Sequence, residues 1–111
     1  KPGRDVYYAP NGHKYCGCVA KVARELGFDG KANDGVGMVH ALAKAGKVRI
    51  VSMSECRDNP QEGDRLSYSG YGSGDISTYH AGRGWCLDTN CHAFKMSGYR
   101  PHVCARGSSF L

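Results

Sequence analysis

The apolar positions of the chain change their period near residue 47. From Cys18 to Gly27 the run CVAKVARELG places Val19, Val22, Ala23 and Leu26 at i, i+3, i+4 and i+7. That is one apolar stripe of a helix, with Lys21, Arg24 and Glu25 facing away. Gly17 offers a permissive start and Gly27 a left-handed stop. After the turn FDGKAND, the segment GVGMVHALAKAG sets Val36, Val39 and Ala43 on one face, with Asn33 or Asp34 as N-cap and Gly46 as the stop. Gly35 and Gly37 make this second helix the weaker one. Ahead of both, residues 1 to 15 carry Pro2, Gly3, Pro10, Asn11 and Gly12 and no periodic pattern, which predicts an irregular arm.

Beyond residue 47 the pattern becomes β-branched and roughly period two in KVRIVSM. Further strands are expected in RLSYSG, DISTYH, RGWCLD, HAFKM and RPHVCA, separated by Gly, Asn and Asp turns. Helices first and strands after is the order of an α+β domain with a small antiparallel sheet. A chain of 111 residues fits a single domain over residues 1–111. There is no internal repeat and no low-complexity tract.

Composition adds a compartment. Six cysteines, Cys16, Cys18, Cys56, Cys86, Cys91 and Cys104, are a density that reads as a disulfide framework in an oxidising, extracellular setting. Leu87-Asp88-Thr89-Asn90 suits a tight turn that sets Cys86 opposite Cys91, within bridging distance. Cys56 with Cys104 is the second candidate pair, and Cys16 is able to replace either partner. A zinc site through Cys16, Cys18, His92 and His102 is disfavoured, because no pair of CxxC knuckles at finger or ribbon spacing is present; neither a metal nor a cofactor is expected. No apolar run approaches the length that crosses a bilayer, and the start at Lys1 reads as that of a mature, processed product. A formal net charge of +5 attracts polyanions of several kinds. Its basic residues are dispersed, so a solvated basic surface is expected, with no nucleic-acid partner, no membrane insertion and a monomeric state.

The candidate chemistry begins at Cys18. A cysteine in the first turn of a helix meets unpaired N–H groups and the positive end of the helix dipole, both favouring thiolate. Acyl transfer then needs an imidazole in hydrogen-bond reach and a third polar group to orient it. The order GCVAKVARELG, QEGDRLSY, YHAG, CHAF resembles the NlpC-type and CHAP-type papain-like peptidoglycan amidases: a helix opened by Cys, Gly-Asp leading a strand, His-x-Gly, then a second His-Ala. His80 and His92 stand twelve residues apart, which fits that family's spacing between base and orienting group. The resemblance covers residues 17 to 95. The small size and added cysteines are similar to the type VI secretion amidase effectors and their tick and mite relatives.

This resemblance implies a papain-like fold with N-terminal helices packed on the sheet. It also implies a secreted antibacterial hydrolase that cuts amide bonds in the stem peptides or cross-links of bacterial peptidoglycan. Cys18 would be the nucleophile, His80 the base and His92 its orienting partner, with the Cys18 backbone N–H helping to hold the oxyanion. Two alternatives stay open. Cys16 is also followed by a small residue and is the alternative nucleophile. A second register lays GDISTYHAGRGW on the CHAP-type strand and puts Asp75 where the histidine belongs, which would imply an inactive relative or a base taken from elsewhere.

Two rival functions compete. A non-catalytic secreted cationic binding or antimicrobial module, stapled by three disulfides, would use all six cysteines. A small basic ribonuclease would press His80, His92 and Glu62 into acid–base roles, without a spacing that supports it. His13, His40 and His102 read as histidines without a role. The aromatic set Tyr68, Tyr71, Tyr79, Trp85, Phe94 and Tyr99 reads as core and cross-strand packing.

Overall fold

The computed structural model describes residues 6–32, 35–70, 75–87, 90–95 and 98–107. The candidate N-cap residues Asn33 and Asp34, the turn residues Asp88 and Thr89, and Tyr71 lie outside the described residues. The fold is α+β. In chain order the elements are β1 (Val6–Tyr8), β2 (Lys14–Cys16), α1 (Gly17–Leu26), α2 (Gly35–Lys44), β3 (Val48–Val51), α3 (Met53–Asp58), β4 (Arg65–Gly70), β5 (Asp75–His80), β6 (Gly84–Cys86), β7 (Cys91–His92) and β8 (Tyr99–Gly107).

The two expected helices form where the apolar stripe predicts them. Helix α1 ends at Gly27, whose φ of 62° is the left-handed geometry that favours glycine; it buries Val22 and Ala23 of the expected stripe together with Ala20, while Val19 and Leu26 pack only partly against the core. Helix α2 buries Met38, Val39 and Leu42, while Val36 and Ala43 pack only partly against the core. Its apolar face is thus turned relative to the expected Val36–Val39–Ala43 stripe. The helix is apolar at Met38 and Leu42 as well, and tertiary packing chose between the faces.

The strands expected after residue 47 assemble into one six-stranded antiparallel sheet of order β3-β8-β4-β5-β6-β7. Its helical face carries a core of Ala20, Val22, Ala23, Met38, Val39, Leu42, Ile76, Val103 and Ala105. A second cluster packs Cys56, Leu66, Tyr68, Trp85 and Cys104, joined by Phe94, Tyr79 and Tyr99. The aromatics of the strands, where described, are therefore packing residues.

Three local expectations are corrected. The N-terminal arm is not irregular throughout: β1 and β2 form a separate two-stranded antiparallel sheet, with Tyr7 opposite Tyr15. Such short strands are held by contacts distant in sequence, the Tyr7 hydroxyl donating to Phe28 O at 3.1 Å and the Tyr15 hydroxyl to Gly30 O at 2.6 Å. The expected strand KVRIVSM stops at Val51, and Met53 opens α3 instead. Ser52 caps that helix by accepting from Glu55 N at 3.1 Å, the first half of a capping box legible as Ser-x-x-Glu. The expected strand HAFKM shrinks to β7, which pairs only Cys91 and His92 with β6.

Two disulfides close the fold, Cys86–Cys91 and Cys56–Cys104. The first joins direct cross-strand partners, with Leu87 N donating to Asn90 O at 2.9 Å across the turn. The second ties α3 to β8 over 48 residues of sequence. In the chain-entropy account such a loop stabilises by about 4 kcal/mol.

Beside it lies a buried ion pair. Asp64 is 0 % exposed and accepts from Arg106 Nε and Nη2, both at 2.9 Å, and from Gln61 N at 2.9 Å. Removing one partner of such a pair strands the other charge in a low-dielectric site. We expect Asp64→Ala to lower the unfolding free energy by about 3–5 kcal/mol in urea denaturation. A loss below about 1 kcal/mol would mean that water reaches the Arg106 guanidinium.

Candidate functional site

Helix α1 lies along β5, and two polar anchors set its direction. At its start, Cys18 Sγ sits 3.5 Å from Asp75 Oδ1 and accepts from Ile76 N at 3.4 Å. Toward its end, Glu25 accepts from Arg65 Nη1 at 2.7 Å, and the same nitrogen donates to Thr78 Oγ1 at 2.7 Å. Burial opposes ionisation of Glu25, but the Arg65 hydrogen bond and charge outweigh it and hold the carboxyl below its usual range. Seven residues of helix rise and three residues of strand rise both span roughly 10 Å, so the two anchors are mutually consistent.

The cysteine expected as nucleophile is therefore where it was expected. Cys18 occupies the second position of α1, and Cys16 is its N-cap with extended backbone. Both lie outside the two disulfides, Cys16 exposed and Cys18 partly buried. Their expected pairing alternatives are not used, since Cys56 pairs with Cys104 and Cys86 with Cys91. A three-disulfide module is accordingly not what the chain forms.

The expected base does not meet the cysteine. His80 ends β5, five residues beyond Asp75, roughly 16 Å away at ordinary strand rise. There its Nδ1 lies 2.6 Å from Glu62 Oε2. Glu62 also accepts from Ala81 N at 2.8 Å, and these two contacts, the backbone one first, hold its carboxyl below the usual range. The pair latches the turn after β5 to the loop before β4. His80 is thus corrected as the partner of Cys18, where the structure places the Asp75 carboxylate instead. The physical reason is the polarity of α1, whose start meets the first residue of β5 and not the last.

His92 is not brought to His80 either. Its Nε2 lies 2.8 Å from Ser77 Oγ, and its Nδ1 lies 2.5 Å from Ala93 O. A carbonyl only accepts, so Nδ1 carries a proton, and in the neutral ring Nε2 accepts from the Ser77 hydroxyl. Ser77 is fully buried, two residues from Asp75 on the same face of β5, beside Tyr68, whose ring meets His92 edge-on at 5.5 Å. Burial pushes the Tyr68 phenol up, and its hydroxyl donates to Phe94 O at 2.6 Å. Ser77 and Tyr68 carried no functional signal in the sequence beyond a period-two pattern.

The electrostatics at Cys18 run against a nucleophile. Burial first, and then the Asp75 carboxylate, push its thiol from 9.0 up to about 12, although the Ile76 N–H pulls the other way. The native state therefore keeps the proton up to about pH 12 while the unfolded chain releases it near 9.0. Between those values the unfolded state binds fewer protons, so stability falls as pH rises. As for metals, Cys56, Asp64 and Cys104 bring three ligand-type atoms within 4.8 Å of one another, but both sulfurs are consumed in the disulfide. Of the histidines read as without a role, His40 and His102 are exposed and His13 packs tilted against Tyr15, ring centroids 4.5 Å apart.

Comparison with known proteins finds no matching family model, no similar curated protein and no similar solved structure.

The Cys18 environment is measurable by alkylation. A thiol with a pKa three units above normal has about 1,000-fold less thiolate at pH 8, offset about 30-fold by its greater intrinsic nucleophilicity. We expect iodoacetamide to label Cys18 at least roughly 30-fold more slowly than an unperturbed thiol, with a rate still rising through pH 10. Labelling of Cys18 at an ordinary rate would show that the sulfur is not buried against Asp75 in solution.

Proposed function

We propose that the chain is a secreted, cationic module that binds the stem peptide of bacterial peptidoglycan on a papain-like amidase frame without cutting it. The observation that carries this reading is the 3.5 Å contact between Cys18 Sγ and the Asp75 carboxylate. Acyl transfer by cysteine needs a group that takes the thiol proton and returns it to the leaving amine. A carboxylate beside a half-buried thiol does the reverse and holds the proton on sulfur.

Position, disulfides and charge support the frame and the setting. The cysteine opens a helix that packs on the middle of an antiparallel sheet, as the resemblance to NlpC-type and CHAP-type amidases implies. Two disulfides are compatible with an oxidising, extracellular setting, and among the described residues no helix is long and apolar enough to cross a membrane. The net charge of +5 favours capture by the anionic wall.

Hydrolysis of the same amide bonds, with Cys18 as nucleophile, is the second reading. It is favoured by one observation, that Cys18 stays outside both disulfides at the start of α1. It requires an imidazole to reach that sulfur.

Incubation with purified sacculi separates the two. We expect the wild-type protein to co-sediment with the sacculi and to release no stem-peptide fragments detectable by mass spectrometry. Release of fragments that is lost in Cys18→Ala would establish the hydrolase instead, and failure to co-sediment would remove the wall as the partner. In Asp75→His the carboxylate that holds the proton on sulfur is gone and an imidazole stands in its place. Alkylation of Cys18 in that variant is expected to accelerate at least tenfold over wild type.

A further inference from the structure

A second group of charged side chains stands at the other end of the sheet, away from Cys18. Arg49 on β3 and Arg106 on β8 are direct cross-strand partners, so their side chains leave the sheet on one face. Arg106 is committed to Asp64, with further contacts to Glu55 Oε2 at 3.3 Å and Asn59 O at 3.4 Å. Arg49 is exposed and, among the described residues, makes no ion pair or side-chain hydrogen bond. Together with Gln61 and Glu62, these two arginines line a cavity of about 410 Å³. That is the lower part of the size range of small-molecule sites.

The two charges beside the Arg106–Asp64 pair are of opposite sign and differently held: Glu62 is bonded to His80 and feels the Arg83 charge, whereas Arg49 makes no ion pair among the described residues. Glu62 is fixed by His80 Nδ1 at 2.6 Å and Ala81 N at 2.8 Å, so its carboxylate is oriented before any ligand arrives. Arg49 offers a planar guanidinium that suits a carboxylate in two-point contact. An anion alone would face Glu62, and a cation alone would face both arginines. A molecule carrying an ammonium at one end and a carboxylate at the other satisfies both walls.

We propose that this cavity binds a small zwitterion of the amino-acid or dipeptide class, its carboxylate on Arg49 and its ammonium on Glu62. The site is separate from Cys18 and Asp75, at the opposite end of β5, and does not rest on the wall-binding reading. The neighbouring His80 and Ala81 hold the anionic wall in place, which gives the His80–Glu62 contact a positioning role in ligand binding.

The test is an NMR titration of amide resonances with alanyl-alanine, its N-acetyl form and its C-terminal amide. Saturable shifts are expected at Arg49, Glu62 and Ala81 with the zwitterion, and at least about tenfold weaker binding for each blocked form, as the loss of one charge-assisted contact implies. In Arg49→Ala, the free dipeptide and its amide should bind alike, with the remaining spectrum unchanged. Glu62→Gln should abolish the penalty of N-acetylation. Equal binding of the acetylated form to wild type would make this a plain anion site and overturn the proposal. So would the absence of saturable shifts at these residues with the free dipeptide. Sacculus co-sedimentation by Arg49→Ala, measured alongside, distinguishes a failure here from a failure of wall binding.

Discussion

Helix α1 lies along β5 with its start at Asp75 and Ile76 and its later turns at Thr78, and this polarity decides which strand residue reaches Cys18. The helix cannot slide without losing an anchor at one end or the other. At the first end the sulfur accepts the Ile76 N–H, a donor that begins a strand. At the second, Arg65 bridges helix and strand through Glu25 and Thr78. Between them Ala20, Val22 and Ala23 share a buried core with Ile76, and a slide of the helix would break that close packing. The chemistry available to Cys18 is thus set by packing several residues away from it.

The consequence is a cysteine whose two neighbours disagree. A helix start and an N–H donor favour thiolate, whereas burial and a carboxylate oppose it, and the second pair prevails. Burial of the sulfur, with a carboxylate at 3.5 Å adding to it, outweighs the partial charge of a helix terminus, whose influence is typically below 1 kcal/mol near a surface. The cysteine keeps the position of a nucleophile while lacking the charge state of one.

A second set of covalent and ionic ties gathers at the opposite end of the sheet. The Cys56–Cys104 disulfide, the Asp64–Arg106 pair and the cap of α3 by Ser52 converge on β3, β8 and the loop before β4. The cavity lined by Arg49, Gln61, Glu62 and Arg106 is built on this corner, and all its walls but Arg49 are held by contacts they make within the protein. Cys18 and Asp75, by contrast, sit where α1 meets the first residue of β5.

The sequence alone determined the elements whose signal is local and periodic. The stripe of α1, its glycine stop and the alternation in β4, β5 and β8 each follow from one segment's own pattern. So does the Cys86–Cys91 bridge, because a short turn forces its flanking residues together. The S-x-x-E signal of α3 was equally local and was masked by the β-branched run before it. The strands β1 and β2 were not legible, since three-residue strands owe their existence to Tyr7 and Tyr15 meeting the backbone of residues 28 and 30. The site was half legible. Cys18 announced itself by its place at a helix start, but His80 and Asp75 sit five residues apart on the same strand, and nothing in their own segment says which end faces the helix. Only the tertiary structure decides that, because the direction in which α1 lies on β5 depends on Arg65, Thr78 and Ile76 acting together, residues brought to the helix by strand pairing and not by sequence proximity.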